Sequence, residues 1–226
     1  MICITKFETL FSGTEDDLQN LKNQFDKNHY VRLPGLLESG LLKFIQNKLD
    51  KDKFLEDRYK VGDDSAVGYR FEDENTLGLL LFLINDEKLF HFVQKITSCK
   101  KIGCFTGRVY SKIPDLGQYD SWHDDLTDDR MVAISINLST DVYSGGDLEI
   151  LDKRSDEVIT VPANKGFGEG IIFRLAPYLE HRVTKVYDKY PRTVLTGWFR
   201  SEPAYKTFLS SLLSKSDNLV LERKMH

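Results

Sequence analysis

Two histidines and one aspartate in the second half of the chain are of the types that bind a metal ion. His123 and Asp125 lie two residues apart in QYDSWHDDLTDD, and His181 follows in LEHRV, in a chain with only five histidines. In a strand, His123 and Asp125 would point to one face while Asp124 points elsewhere. A later strand with His181 can complete the set, so this pattern predicts one metal ion with three protein ligands.

Two imidazoles and one carboxylate on one side of an ion leave the opposite coordination positions open, as in non-haem Fe(II) oxygenases. Arg192 begins the segment RTVLTGWFR, and a guanidinium can bind a carboxylate through two hydrogen bonds. Strand alternation puts Arg192, Thr196 and Trp198 on one face. This segment therefore predicts an anchor for the far end of a dicarboxylate whose other end binds the metal.

The elements that must position these residues are short strands. From Phe105 onward, runs rich in Val, Ile, Thr and aromatic residues alternate with turn residues and predict about seven strands: FTGRVYSK, RMVAISINLS, GDLEIL, EVITVP, GIIFRL, HRVTKVY and RTVLTGWFR. Short strands without helices between them favour a sandwich or jelly roll. In RMVAISINLS, alternation directs Ala133, Ser135 and Asn137 to the pocket and the apolar residues between them to a helical layer.

The first hundred residues favour helices instead. Thr14 and Asp17 form a plausible capping pair for a helix that ends near Asn28. Ser39 can cap a second helix. Residues 77–96 have the apolar pattern of two further helices, broken near Asn85 and Asp86.

No linker, repeat or low-complexity tract divides the chain, so we expect a single domain over residues 1–226. The expected fold class is mainly β with flanking helices (α+β). Residues 1–100 would form a mostly helical layer, residues 101–201 the strand-rich core, and residues 202–226 an amphipathic C-terminal helix. The acidic, glycine-bearing residues 61–75 predict a long loop near the mouth of the site.

Composition disfavours several classes of protein. The formal net charge is −4, with basic and acidic residues well mixed, so nothing predicts a nucleic-acid-binding stripe. The densest apolar run, TLGLLLFLI, is too short to span a bilayer. Three cysteines without a C-x-x-C pair favour a reducing compartment. We therefore expect a cytoplasmic protein that binds neither nucleic acid nor a membrane.

The ordered motifs resemble those of the Fe(II)/2-oxoglutarate-dependent dioxygenases, and within them the prolyl-4-hydroxylase-like branch. The matching segments are HDD at 123–125, GGDLEI at 145–150, EHRV at 180–183 and PRTVLTGWF at 191–199. The resemblance runs from about Gly107 to Arg200, and it implies a double-stranded β-helix core (jelly-roll, cupin-like) covered by the N-terminal helices.

The resemblance also implies a site and an activity. Fe(II) would be bound by His123, Asp125 and His181, with 2-oxoglutarate and O2 as cosubstrates. The cofactor-binding residues would be Arg192 and Thr196, which hold the distal carboxylate, Tyr110 in the same pocket, and Asn137, where prolyl hydroxylases often have a tyrosine. The implied reaction is hydroxylation of an unactivated C–H bond, coupled to decarboxylation of 2-oxoglutarate to succinate.

The substrate is expected to be a small molecule or peptide, most plausibly an amino acid that is free, peptide-borne or carrier-bound. Candidate pocket residues are Trp198, Tyr119, Asp124 and Arg108, and the segments 61–75 and 113–122 would set specificity. Retention of Asp125 disfavours a halogenase, which has a small residue there. Nucleic-acid demethylases tend to have a second arginine at the position of Trp198.

Two alternatives stay open at this point. One is a cupin-like metalloenzyme that does not use 2-oxoglutarate, for which Arg192 would be only structural. The other is a non-catalytic jelly-roll module that binds metal. The oligomeric state is open as well.

Overall fold

A computed structural model describes residues 1–61, 64–114, 120–127, 129–163 and 166–204. The predicted C-terminal helix over 202–226 lies almost entirely outside these ranges, and so does the candidate pocket residue Tyr119.

Strands dominate the described part of the chain. They are β1 (Ile2–Ile4), β2 (Thr9–Phe11), β3 (Tyr30–Leu33), β4 (Phe54–Val61), β5 (Asp64–Phe71), β6 (Cys104–Lys112), β7 (Arg130–Asn137), β8 (Ser144–Gly145), β9 (Leu148–Asp152), β10 (Glu157–Val161), β11 (Gly170–Arg174), β12 (Leu179–Val183), β13 (Val186–Tyr187) and β14 (Arg192–Arg200). The helices are α1 (Glu15–Asn28), α2 (Ser39–Lys48), α3 (Glu74–Ile84) and α4 (Glu87–Thr97).

A seven-stranded antiparallel sheet forms the main layer, in the order β3-β11-β7-β14-β6-β5-β4. A smaller sheet, β10-β9-β12, packs against one face of it through apolar residues that include Ala133 and Phe173 on the main sheet and Ile150 on the small one. Two facing antiparallel sheets agree with a jelly-roll core. The predicted fold class, mainly β with flanking helices, is confirmed.

The helices cover the other face of the main sheet. Val132, Ile134, Ile136 and Leu138 of the β7 region belong to the same buried cluster as helix residues such as Phe25. Their neighbours Ala133 and Ser135 line a cavity on the opposite face. The alternation predicted for RMVAISINLS is therefore confirmed for these residues, since one face packs on helices and the other faces the cavity.

Helix starts follow the sequence signals closely, with one difference. Thr14 and Asp17 form a full capping box, in which the Asp17 carboxylate accepts a hydrogen bond from the Thr14 N–H at 2.7 Å. At α2, however, the cap is Glu38 and not Ser39, because the Glu38 carboxylate accepts from the N–H groups of Gly40 and Leu41. The longer side chain reaches the same unpaired donors from one position earlier.

The prediction of a long loop over residues 61–75 is wrong. Most of that segment is β5, which pairs with β4 along its whole length and with β6 through Tyr69 and Arg70. It ends in the first residues of α3. Glycine and acidic residues suggested a loop locally, but pairing with the edge of the main sheet supplies backbone partners that composition does not reveal. The N-terminal region is thus less purely helical than expected, because it contributes three strands to the main sheet.

No helix in the part of the chain that the structure describes is long and apolar enough to cross a bilayer.

The buried Asn85, between α3 and α4, is hydrogen-bonded to β6. Its amide donates to the Phe105 carbonyl at 3.0 Å, and its amide oxygen accepts from the Phe105 N–H at 2.8 Å. This pair holds the helical layer on the strand that later contributes side chains to the cavity.

We expect Asn85→Ala to lower the free energy of unfolding by about 2 kcal/mol, because buried backbone groups would lose their partner. Urea denaturation checks this value. Asn23→Ala is the matched control, since the side-chain hydrogen bond of Asn23 among the described residues is a surface one accepted from Gln19, and we expect a change within about 0.5 kcal/mol. Equal effects of the two substitutions would show that the hydrogen bonds between Asn85 and Phe105 do not stabilise the fold.

Candidate metal centre

A cavity of about 450 Å³ lies between the main sheet and the small sheet. His123, Asp125 and His181 line it, and Arg192 and Lys112 line it as well. Possible metal ligands and two cations therefore share one enclosed space.

The structure brings the three candidate ligands together. One ligand atom from each of His123, Asp125 and His181 lies within 4.8 Å of the other two. The Asp125 carboxylate oxygen Oδ2 is 3.9 Å from His123 Nε2 and 3.4 Å from His181 Nε2. Two backbone hydrogen bonds between His123 and His181, of 3.1 and 2.8 Å, hold these residues side by side.

The reason for this proximity differs from the one predicted. His123 occupies an isolated β-bridge to His181, not a continuous strand, and Asp125 has a φ of 56°. A positive φ is uncommon for a residue other than glycine, although aspartate tolerates it better than most. The carboxylate is thus placed beside the histidines by a turn in the loop and not by strand alternation.

Two side chains from the main sheet hold the Asp125 carboxylate. Trp198 Nε1 donates to its Oδ2 at 3.0 Å, and Arg130 Nη1 donates to its Oδ1 at 3.1 Å. The Arg130 guanidinium also lies 3.6 Å from the centre of the Trp198 ring. Trp198 was predicted only as a pocket wall, and Arg130 was missed, although it directly follows the acidic loop in sequence.

The side chains have the forms that a divalent ion requires. Burial lowers the pKa of His181, which is 7% exposed, and this favours the neutral imidazole. Burial raises the pKa of Asp125, but the hydrogen bond with His181 and the nearby histidines outweigh it, so the net shift is downward. His123 Nδ1 lies 2.8 Å from the Ser121 carbonyl oxygen, which leaves Nε2 for a metal. The set fits a metal ion with open coordination positions.

Arg192 is a buried cation in the same cavity, with 5% of its surface exposed. Its Nη2 donates a long hydrogen bond of 3.4 Å to Ser135 Oγ, and its buried Nε has no hydrogen-bond partner. Among the described residues, no carboxylate lies within ion-pair distance of it. A buried guanidinium without a counterion fits an anion that enters from outside the chain.

The Arg192 side chain packs against Gly146, where any larger residue would clash with it. A Cβ at Gly146 would lie 2.4 Å from Arg192 Cδ, and its φ of 67° also favours glycine. In the GGDLEI segment, the second glycine therefore leaves room for the arginine side chain.

The other predicted cofactor-binding residues divide into two groups. Thr196 and Tyr110 line the cavity, and burial raises the pKa of Tyr110. Asn137 does not belong to the described lining: its amide donates to the Gly166 carbonyl at 3.1 Å and accepts from the Ser139 N–H at 3.0 Å. The Asn137 side chain is therefore hydrogen-bonded to the backbone of Gly166 and Ser139. Lys112 lines the cavity although no motif had indicated it.

The predicted substrate-pocket residues are also divided. Trp198 lines the cavity, whereas Arg108 is exposed and outside the described lining. The Asp124 carboxylate accepts from the Leu126 N–H at 3.0 Å and thus stabilises the loop turn.

Sequence comparison matches part of the chain to a known family. Residues 108–200, which contain the whole candidate site, match the family model described as "2OG-Fe(II) oxygenase superfamily". The resemblance drawn from the motifs is confirmed. This match implies Fe(II) as the metal and 2-oxoglutarate and O2 as cosubstrates, as predicted, and the His-Asp-His group fits them. No curated protein matches the sequence as a relative.

Solved structures share the fold at low sequence identity. An oxidoreductase of the 2OG-Fe(II) oxygenase family from Burkholderia pseudomallei aligns with a TM-score of 0.65 and 15% identity, over 90% of this chain and 98% of its own. A Pseudomonas putida prolyl-4-hydroxylase aligns with a TM-score of 0.60 and 16% identity, over 82% and 100%. The epimerase SnoN from nogalamycin biosynthesis aligns with a TM-score of 0.60 and 14% identity, over 81% and 82%.

We expect Trp198→Phe to weaken binding of Mn(II) or Co(II) about tenfold, because outer hydrogen-bond partners orient metal ligands. Isothermal titration calorimetry on folded protein checks this. Trp122→Phe is the matched control: Trp122 packs its ring under Arg182, and none of the hydrogen bonds described runs from its indole to a ligand. Unchanged affinity in Trp198→Phe would show that its hydrogen bond to Asp125 does not support the metal.

Proposed function

We propose that this protein is an Fe(II)- and 2-oxoglutarate-dependent hydroxylase that oxidises an unactivated C–H bond of an amino acid. The observation that carries the proposal is the buried Arg192 guanidinium, which has no carboxylate partner among the described residues and shares its cavity with a three-ligand metal set. One molecule with a metal-chelating end and a distal carboxylate could bind the metal and pair with Arg192 at the same time.

Each group has a separate task in this proposal. His123, Asp125 and His181 would hold the ion at the wall of the cavity. Arg192 binds the distal carboxylate, and Thr196 and Tyr110 line its path. Fe(II), when bound with 2-oxoglutarate and O2, would supply the oxidising chemistry needed at a C–H bond. The apolar cavity wall, which includes Phe173 and Leu148, limits access of water to that position.

The two alternatives from the sequence are less well supported. A cupin-like metalloenzyme without 2-oxoglutarate would require a structural role for Arg192, yet that side chain lacks an ion-pair partner in the described part of the chain. A non-catalytic metal module would not need open coordination positions beside a buried cation. Asp125 occupies the ligand position that a halogenase leaves to halide.

The substrate class that we propose is an amino acid. The prolyl-4-hydroxylase among the similar structures acts, by its name, on an amino-acid residue, and this supports a free, peptide-borne or carrier-bound amino acid here. The SnoN structure is that of an epimerase, so product analysis must separate hydroxylation from other oxidations by an added oxygen atom. The acidic net charge disfavours a nucleic-acid substrate.

We expect iron-loaded protein, kept free of oxygen, to develop the weak visible absorption of Fe(II)-bound 2-oxoglutarate when that acid is added. In Arg192→Ala, the half-saturating concentration should rise by about 30-fold or more, because a buried charge partner is lost. Spectrophotometric titration measures both quantities.

Arg154→Ala is the control, since Arg154 pairs with Asp152 on an exposed turn away from the cavity. It should leave the titration unchanged. An iron-loaded, folded wild-type protein that shows no such absorption would refute the proposed cosubstrate and return the two alternatives to consideration.

A further inference from the structure

Lys112 is a second buried cation at the Arg192 end of the cavity. It is the last residue of β6, it is 5% exposed, and it lines the cavity. In the β6–β14 register, Lys112 lies directly opposite Arg192. Residues opposite each other in an antiparallel pair point to the same face, with Cβ atoms about 5 Å apart. The two cationic side chains therefore extend into the same region.

Lys112 has one ion-pair partner in the described chain, Asp120. Its Nζ lies 2.8 Å from Asp120 Oδ1, and the Asp120 side chain is also largely buried. The Asp120 N–H donates to the Val183 carbonyl at 3.0 Å. Asp120 precedes the candidate ligand His123 by three residues, so the ion pair joins β6 to the segment that carries this ligand.

The two cations at this end of the cavity have one carboxylate partner between them. Lys112 and Arg192 are the two cations among the described lining residues. Three carboxylates, those of Asp57, Asp120 and Asp125, line the cavity as well, and among them only Asp120 lies within ion-pair distance of either cation. Burial lowers the pKa of Lys112, Asp120 raises it, and Arg192 lowers it further. Like charges opposite each other in a sheet are destabilising, and the low dielectric of a cavity increases the cost. One additional anionic group would offset this repulsion.

We propose that Lys112 is a second cation of the anion subsite and binds, together with Arg192, the distal carboxylate of the 2-oxo acid. Asp120 is its resident counterion before the acid enters. This inference rests on the proposed function. It makes Lys112 a residue that selects a dicarboxylic 2-oxo acid over a monocarboxylic one, because a single distal carboxylate then meets two positive charges.

The test compares two acids of equal chain length, 2-oxoglutarate and 2-oxopentanoate, which lacks the distal carboxylate. Both are titrated into iron-loaded, oxygen-free protein, and the visible absorption of the chelate is followed. We expect Lys112→Met to raise the half-saturating concentration of 2-oxoglutarate about tenfold, as a lost charge-assisted hydrogen bond would. The value for 2-oxopentanoate should change by less than about twofold, because that acid offers Lys112 no charge.

Two variants separate binding from structure. Lys112→Met/Asp120→Asn removes both charges and so avoids an unpaired buried carboxylate, and we expect it to lose the preference for 2-oxoglutarate as the single variant does. Lys88→Met is the matched control, because Lys88 pairs with Glu8 on the surface, and it should behave as wild type.

The outcomes are distinct. Equal weakening of both acids by Lys112→Met, or restored 2-oxoglutarate binding in the double variant, would make Lys112 purely structural and overturn the inference. Unchanged binding of 2-oxoglutarate in both variants would overturn it as well. Absence of the absorption band in wild type refutes the proposed function itself, and the inference then falls with it.

Discussion

The antiparallel pairing of β14 with β6 on one side and β7 on the other is the constraint on which the site depends. This register sets Arg192 opposite Lys112 and Trp198 opposite Ala133. A shift by one residue would turn the cavity-facing side chains of β14 into the helix-covered core. Arg192, the proposed anion anchor, and Trp198, which supports the candidate ligand Asp125, thus lie on one strand, and the sheet sets the distance between them.

The orientation of the candidate ligand Asp125 depends on side chains of the main sheet. Asp125 stands in a turn with positive φ, and its carboxylate is oriented by Trp198 and Arg130 from two adjacent strands. The histidines are joined through their own backbones. Hydrogen bonds from the main sheet thus restrict the orientation of a candidate ligand that lies in a loop.

The cavity contains charges that a core selected only for stability would exclude. Arg192 is buried without a described counterion, and Lys112 beside it pairs with one carboxylate, that of Asp120. Burying an unpaired ion costs on the order of several kcal/mol. The remaining core, which is largely aliphatic and aromatic, can offset this free-energy cost. A carboxylate that binds in the cavity would reduce the cost, because it would pair with the buried charge. Local instability of this type is typical of a binding site.

The sequence by itself determined the ligand types, the strand-rich second half, the helix limits near Thr14 and Asn85, and the faces of β7 and β14, because capping and alternation are local properties. Tertiary structure decided the rest. The β4–β5 hairpin exists through pairing with β6, Asn137 is used by neighbouring backbone, and Arg130 and Lys112 acquire their roles from residues on other elements. Local pattern cannot reveal these contacts, because each depends on which distant segments the sheet register brings together.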